Sequence, residues 1–165
     1  MYLAVDTAKL DQAILSFITF ARSLPARMME PSKTEHWGPR EVLVHLVFWH
    51  EQYNQIAAAV AANQQPKLLP GTFKEINRLA VAQDISTPIE ELVARWTRAQ
   101  QALASTASTR GAERLKFSLR KGSKEWPLCD LVRLAAGHIE NHETKLHRSL
   151  GRPKLRSAIK SRRSS

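Results

Sequence analysis

Apolar side chains recur every three to four residues along four long stretches of this chain, and proline or glycine punctuates their ends. No stretch of comparable strength alternates with the period of two that a half-buried strand requires. The pattern predicts an all-α fold. The first stretch opens at Asp6, a side chain suited to capping a helix N-terminus, carries Leu10, Ile14, Phe17 and Ala21, and stops at Pro25. The second opens at Gly38-Pro39, where proline at the first helical position sacrifices no amide bond. It runs to about Ala62 with Val42, His45, Leu46, Trp49 and Ile56 along one face. A shorter piece, about Phe73 to Gln83, follows Pro70-Gly71. Thr87-Pro88-Ile89-Glu90 then reads as a capping box with proline at the first helical position, starting a helix that bears Leu92, Trp96, Ala99 and Leu103. A polar stretch from about Ser105 to Lys124 reads as loop, or at most a small hairpin around Lys121-Gly122. The last helix is expected from near Pro127 to about Leu150, ahead of Gly151 and Pro153.

Four long amphipathic helices in 165 residues imply a single four-helix bundle over residues 1–150, with a short extra helix in the central connection. Residues 151–165 form a separate segment. Arg152, Lys154, Arg156, Lys160, Arg162 and Arg163 occur there with no acid, and they carry more than half of the net charge of +10. Without aromatics or periodicity the segment reads as a solvated, disordered tail, capable of weak, nonspecific nucleic-acid contact. No stretch approaches the ~18 apolar residues of a membrane span. The N-terminus lacks the basic-then-apolar order of a signal peptide, and the lone Cys129 cannot close an internal disulfide. The expectation is a cytoplasmic chain with no membrane partner.

The core stripe of the last helix reads Leu131, Ala135, His138, His142 and Leu146, so two histidines stand where apolar residues belong. Four residues of helix turn through about 400°, which stacks their imidazoles one above the other within reach of one ion. His45 interrupts the apolar run of the second helix in the same way. Facing helices would bring three neutral imidazoles together and leave a coordination position open, as catalytic metal sites do. Spacing alone leaves the alternative of hydrogen-bonded core histidines equally open. His50 and His147 turn away, about 140° from His45 and about 180° from His138, and His36 falls at a rim. Glu140 should be solvated and Glu143 intermediate. Cys129, nine residues before His138, lies on the opposite side of the helix and reads as a small packed thiol. Trp49, one turn after His45, and Gln52, seven residues after it, are candidates for shaping a pocket. The other tryptophans read as core.

The run Trp37-Gly38-Pro39-Arg40-Glu41-Val42-Leu43-Val44-His45-Leu46, with Trp49-His50, resembles the second-helix signature of the DinB/YfiT-like superfamily. Gly137-His138 to His142, followed by Lys145-Leu146, is similar to its final-helix signature. The middle of the chain narrows the likeness. Pro70-Gly71-Thr72-Phe73, Ile76-Asn77-Arg78 and Thr87-Pro88-Ile89-Glu90-Glu91-Leu92 are similar to the ClbS/DfsB branch, whose best-known member protects its host from a genotoxin. Together the motifs span roughly residues 5–150. The resemblance implies a four-helix bundle, a homodimer, and a divalent metal ion, zinc or nickel, on His45, His138 and His142.

ClbS-like proteins often carry a His-Tyr pair at the last helix. Here His138-Ile139 is followed by His142, the fuller metal-binding pattern, which turns the chemical analogy from cyclopropane opening to the metal-dependent thiol transferases. The implied function is metal-dependent modification of a small molecule. It would be thiol transfer to, or hydrolysis of, an electrophile in detoxification or stress protection, with a low-molecular-weight thiol as a partner. The alternative is a noncatalytic protein that sequesters a small molecule or binds it in a stress response.

Overall fold

The protein, seen in a computed structural model, is described over residues 2–109 and 111–151, with side chains from Thr7 onward. Helices α1 (Tyr2–Ser23), α2 (Pro39–Ala61), α4 (Ile89–Ala107) and α5 (Asp130–Ser149) form the expected four-helix bundle, and α3 (Phe73–Asp84) is the extra helix of the central connection. Helix α2 packs most extensively on α4, and α1 on α5, while α3 lies against α2. One core joins all five. Phe17 of α1 meets Trp96 of α4 edge to face at 5.7 Å, and both side chains are fully buried. Each such burial contributes about 1.5–3 kcal/mol against the chain entropy lost on folding.

Helix α2 is the hub. Its residues from Pro39 to Val47 are all buried, so its first half has no solvent face. The Glu41 carboxylate accepts hydrogen bonds from the amides of Gly38 (2.9 Å) and Ser32 (2.6 Å), which fixes the incoming segment at the helix start. The Arg40 guanidinium, 9% exposed, donates to the carbonyls of Ile85 (2.8 Å) and Thr87. It thereby ties the first turn of α2 to the junction of α3 and α4. Removing it would strand two carbonyls, at about 1–3 kcal/mol for each one left buried.

Three helix starts differ from the sequence expectation. Helix α1 begins at Tyr2, so Asp6 lies within it rather than capping it; no proline or glycine precedes Asp6 to break the helix. No side chain caps α4: Pro88 occupies the N-cap position rather than the first helical one, and Thr87 instead offers its carbonyl to Arg40. The capping box forms at Thr72, whose hydroxyl accepts from the Glu75 amide (3.2 Å) while the Glu75 carboxylate accepts from the Thr72 amide (2.8 Å). Helix α5 starts at Asp130, because Trp126 and Pro127 belong to strand β2 (Glu125–Pro127), paired antiparallel with β1 (Lys116–Ser118). The small hairpin is therefore the form that the polar stretch takes. Its turn carries Gly122 at φ 77°, a left-handed conformation that glycine adopts without strain, and Lys121 donates its amide to the Leu69 carbonyl at 3.3 Å. Gly151, at φ 63°, ends α5 as expected. Of the basic segment 151–165, all but Gly151 lies outside the described residues.

Candidate metal centre

Packing of α2 and α5 brings His45, His138 and His142 together. His45 is 3% exposed in the first half of α2, and the other two stand one turn apart on α5, half-buried. The Nε2 atom of His138 lies 2.9 Å from His45 Nε2 and 3.1 Å from His142 Nε2. Burial, reinforced by His138 and His142, pushes His45 down to about 2 from the ordinary 6.5. Burial also pushes His138 down to about 3, helped by His142, His50 and Lys145, and it lowers His142, helped by Lys145. All three imidazoles are neutral at physiological pH, the protonation state of a metal ligand.

The residues fit a divalent ion. A neutral imidazole nitrogen carries either one proton or one lone pair, so His138 Nε2 cannot pair well with two nitrogens at once. A cation between them satisfies all three lone pairs. Imidazole nitrogens bound tetrahedrally at about 2.0–2.1 Å lie about 3.3 Å apart, so the two separations at His138 need open by only a few tenths of an ångström, and all three nitrogens already lie within 4.8 Å of one another. An all-nitrogen set of this kind is compatible with zinc, nickel, copper or iron.

Around the histidines stands an aromatic shell. The Trp37 ring lies 5.1 Å from His45. Tyr53, eight residues after His45 on α2, places its hydroxyl 3.4 Å from His138 Nδ1. Trp49 packs on Tyr53 at 6.0 Å and on Phe73 of α3 at 5.6 Å, and its indole N–H donates to Asn77 Oδ1 at 2.7 Å. Trp49 thus supports the site through Tyr53 and α3 and makes no ring contact with the three histidines. Gln52 is half-buried on α2 and forms no hydrogen bond with them among the described residues.

His50 leaves the histidine face as expected but is 1% exposed, held between Tyr53 and Trp96. His147 packs on Phe20 at 4.4 Å. Glu143, expected to be intermediate, is buried and accepts from the Ser16 hydroxyl at 2.8 Å, whereas Glu140 stays half-exposed beside Lys9. Cys129 is partly buried just ahead of α5.

Beside the histidines, α3 and the segment before α2 enclose an open cleft of about 1060 Å³. Trp37, His36, Glu41, Lys74, Asn77 and Arg78 are among its walls. Trp37 is 37% exposed, and it links cleft and centre, since the ring that lines one packs on His45 of the other. Sequence reasoning placed Trp37 in the core and passed over Tyr53 and Asn77. The available signal was helical: Tyr53 is one turn beyond Trp49, on the face that His45 shares.

No family model and no curated protein sequence matches the chain. Among solved structures, the chain is similar to the crystal structure of a mutant of the mycothiol-dependent maleylpyruvate isomerase. The TM-score is 0.67 at 12% sequence identity, over 87% of this chain and 60% of that one. The likeness is one of fold, and the chain spans less than two thirds of that protein's length.

Proposed function

We propose that the chain is a metal-dependent enzyme that modifies an electrophilic small molecule, by thiol transfer or hydrolysis, with the ion on His45, His138 and His142. The observation that carries this reading is the convergence of three neutral imidazole nitrogens, two of them on half-buried side chains that leave the centre approachable. A divalent ion held there would lower the pKa of a thiol or water that it binds and so supply a nucleophile at neutral pH. The protein's own part is to hold the histidines neutral, to keep one side of the centre open, and to seat the substrate. The cleft has the size of a small-molecule site, Trp37 offers it an aromatic wall, and its lining carries charges of both signs, Lys74 and Arg78 with Glu35 and Glu41. Trp49 and Gln52 complete the pocket side of α2 in this proposal. Thiol transfer is favoured over hydrolysis by the mycothiol dependence in the name of the isomerase that shares the fold. Membership of the DinB/YfiT-like superfamily, and of its ClbS/DfsB branch, forms part of the same reading.

Protein purified without a histidine tag and reloaded with Co(II) tests it. Adding 2-mercaptoethanol should produce a sulfur-to-cobalt charge-transfer band, and a candidate electrophile should then be consumed. A spectrum indifferent to thiols would remove thiol transfer. Undiminished ligand binding by metal-free protein would favour the sequestration alternative.

The proposal further holds that residues 1–150 are the working domain, that the tail is dispensable to it, and that the domain pairs as a closed two-fold dimer in the cytoplasm. Light scattering at micromolar concentration should give twice the chain mass with or without residues 152–165. A monomeric mass for both would refute the dimer, and a dimer lost with the tail would refute the division.

A further inference from the structure

The three-histidine centre has one hydrogen-bond neighbour that no motif announced. We infer that Tyr53 is a positioning residue for that centre: its hydroxyl oxygen accepts the Nδ1 proton of His138 and so leaves the Nε2 lone pair directed at the ion. The inference rests on the reading of the centre as a metal site.

The proton arrangement follows from the polar atoms in turn. His45 Nδ1 is buried with no hydrogen-bond partner. Stranding a lone pair there costs less than stranding an N–H, because orphaned buried donors are the rarer defect in proteins. His45 therefore carries its proton on Nε2 in the ion-free protein. That N–H points at His138 Nε2, 2.9 Å away, which must accept it. A neutral imidazole that accepts on Nε2 is protonated on Nδ1. The group opposite His138 Nδ1 is the Tyr53 hydroxyl, and His138 is the hydrogen-bond partner of Tyr53 among the described residues. Their 3.4 Å separation exceeds the usual span of about 2.7–3.2 Å for an N–H···O bond, so the contact is weak in the ion-free protein.

The Tyr53 ring is held in place independently of the histidine. It is 5% exposed, packed on Trp49 at 6.0 Å and His50 at 5.8 Å. Trp49 is in turn fixed by its bond to Asn77 of α3. The chain Asn77, Trp49, Tyr53, His138 thus runs from the cleft wall to the centre, so α3 supports the orientation of a ligand borne on α5. Outer partners of this kind set the tautomer and ring orientation of metal-bound histidines, and losing one typically costs 10–100-fold in metal affinity.

Tyr53→Phe keeps the ring and removes only the hydroxyl. Zinc affinity is read by competition with a chromophoric chelator, helicity by circular dichroism, and the His138 tautomer by nitrogen-15 NMR of the imidazole in both ion-free and zinc-loaded protein. The expected result is unchanged helicity, zinc affinity about 10–100-fold weaker, and a mixture of His138 tautomers in the ion-free variant where the parent shows the Nδ1–H form alone. Affinity within about twofold of the parent would overturn the inference. So would weaker affinity with the tautomer unchanged, which is what loosened packing alone would give. If the parent itself binds no zinc, the metal reading fails, and the tautomer in ion-free protein still decides whether Tyr53 orients His138.

Discussion

His138→Ala should abolish stoichiometric binding of a divalent ion while leaving the helix content close to that of the parent. His138 Nε2 is the atom that both other histidines approach, at 2.9 Å and 3.1 Å, so its loss leaves two nitrogens with nothing between them. Two imidazoles on different helices form a much weaker site than three. The affinity should therefore fall by more than the roughly 100-fold that marks the upper range for outer partners. The fold should tolerate the change, because His138 is half-buried and its neighbours Leu131, Ala135, Ile139 and Leu146 keep their packing. Elemental analysis of untagged protein, with circular dichroism as control, reads both quantities. A variant that still carries one ion per chain would show the ligand assignment to be wrong.

Acidification should destabilise the ion-free protein, and His50 should account for a separable share. Burial pushes His50 down to about 4 from 6.5, against the opposing pull of Gln100 beside it. The unfolded chain takes up this proton near pH 6.5 and the folded protein only near pH 4, so between those values the unfolded state binds more protons and stability falls as pH falls. Above pH 6.5 the group adds no pH dependence. The full loss by about pH 4 is on the order of 3 kcal/mol, since each unit of pKa difference is 1.36 kcal/mol. His45 and His138 are shifted in the same direction, which makes chelator-treated protein the proper sample. Urea denaturation of parent and His50→Gln between pH 7 and pH 4 isolates the effect. The variant should lose less stability over that window, whatever its absolute stability at pH 7. Parallel curves for the two proteins would mean that His50 titrates normally in the fold.

Helix-forming pattern and punctuation were legible because they are local. The spacing of Val42, His45, Leu46 and Trp49 identifies an inward face without knowledge of what it faces, and Gly38-Pro39 marks the start of α2 to the residue. Capping was read less well. Thr72 and Thr87 both stand three residues before a glutamate, yet only Thr72 closes the box, because the chain around Thr87 is engaged by Arg40 from another helix. Helix α5 started three residues later than expected for a similar reason: Phe117 pairs with Trp126, and a strand partner overrides the preference of Pro127 for a helix start.

The sequence by itself determined the bundle and the presence of three histidines on inward faces, since both follow from periodicities of 3.6 residues that each helix carries alone. Only the tertiary structure decided which atoms of those histidines meet, that Tyr53 stands behind one and Trp37 beside another, and that α3 and the segment before α2 open a cleft next to them. It also decided that His50, turned away from the centre, is still enclosed, because Trp96 of α4 packs against it. These depend on how helices distant in sequence are set against one another. That arrangement is selected by the packing of whole side-chain surfaces, and no single segment encodes it.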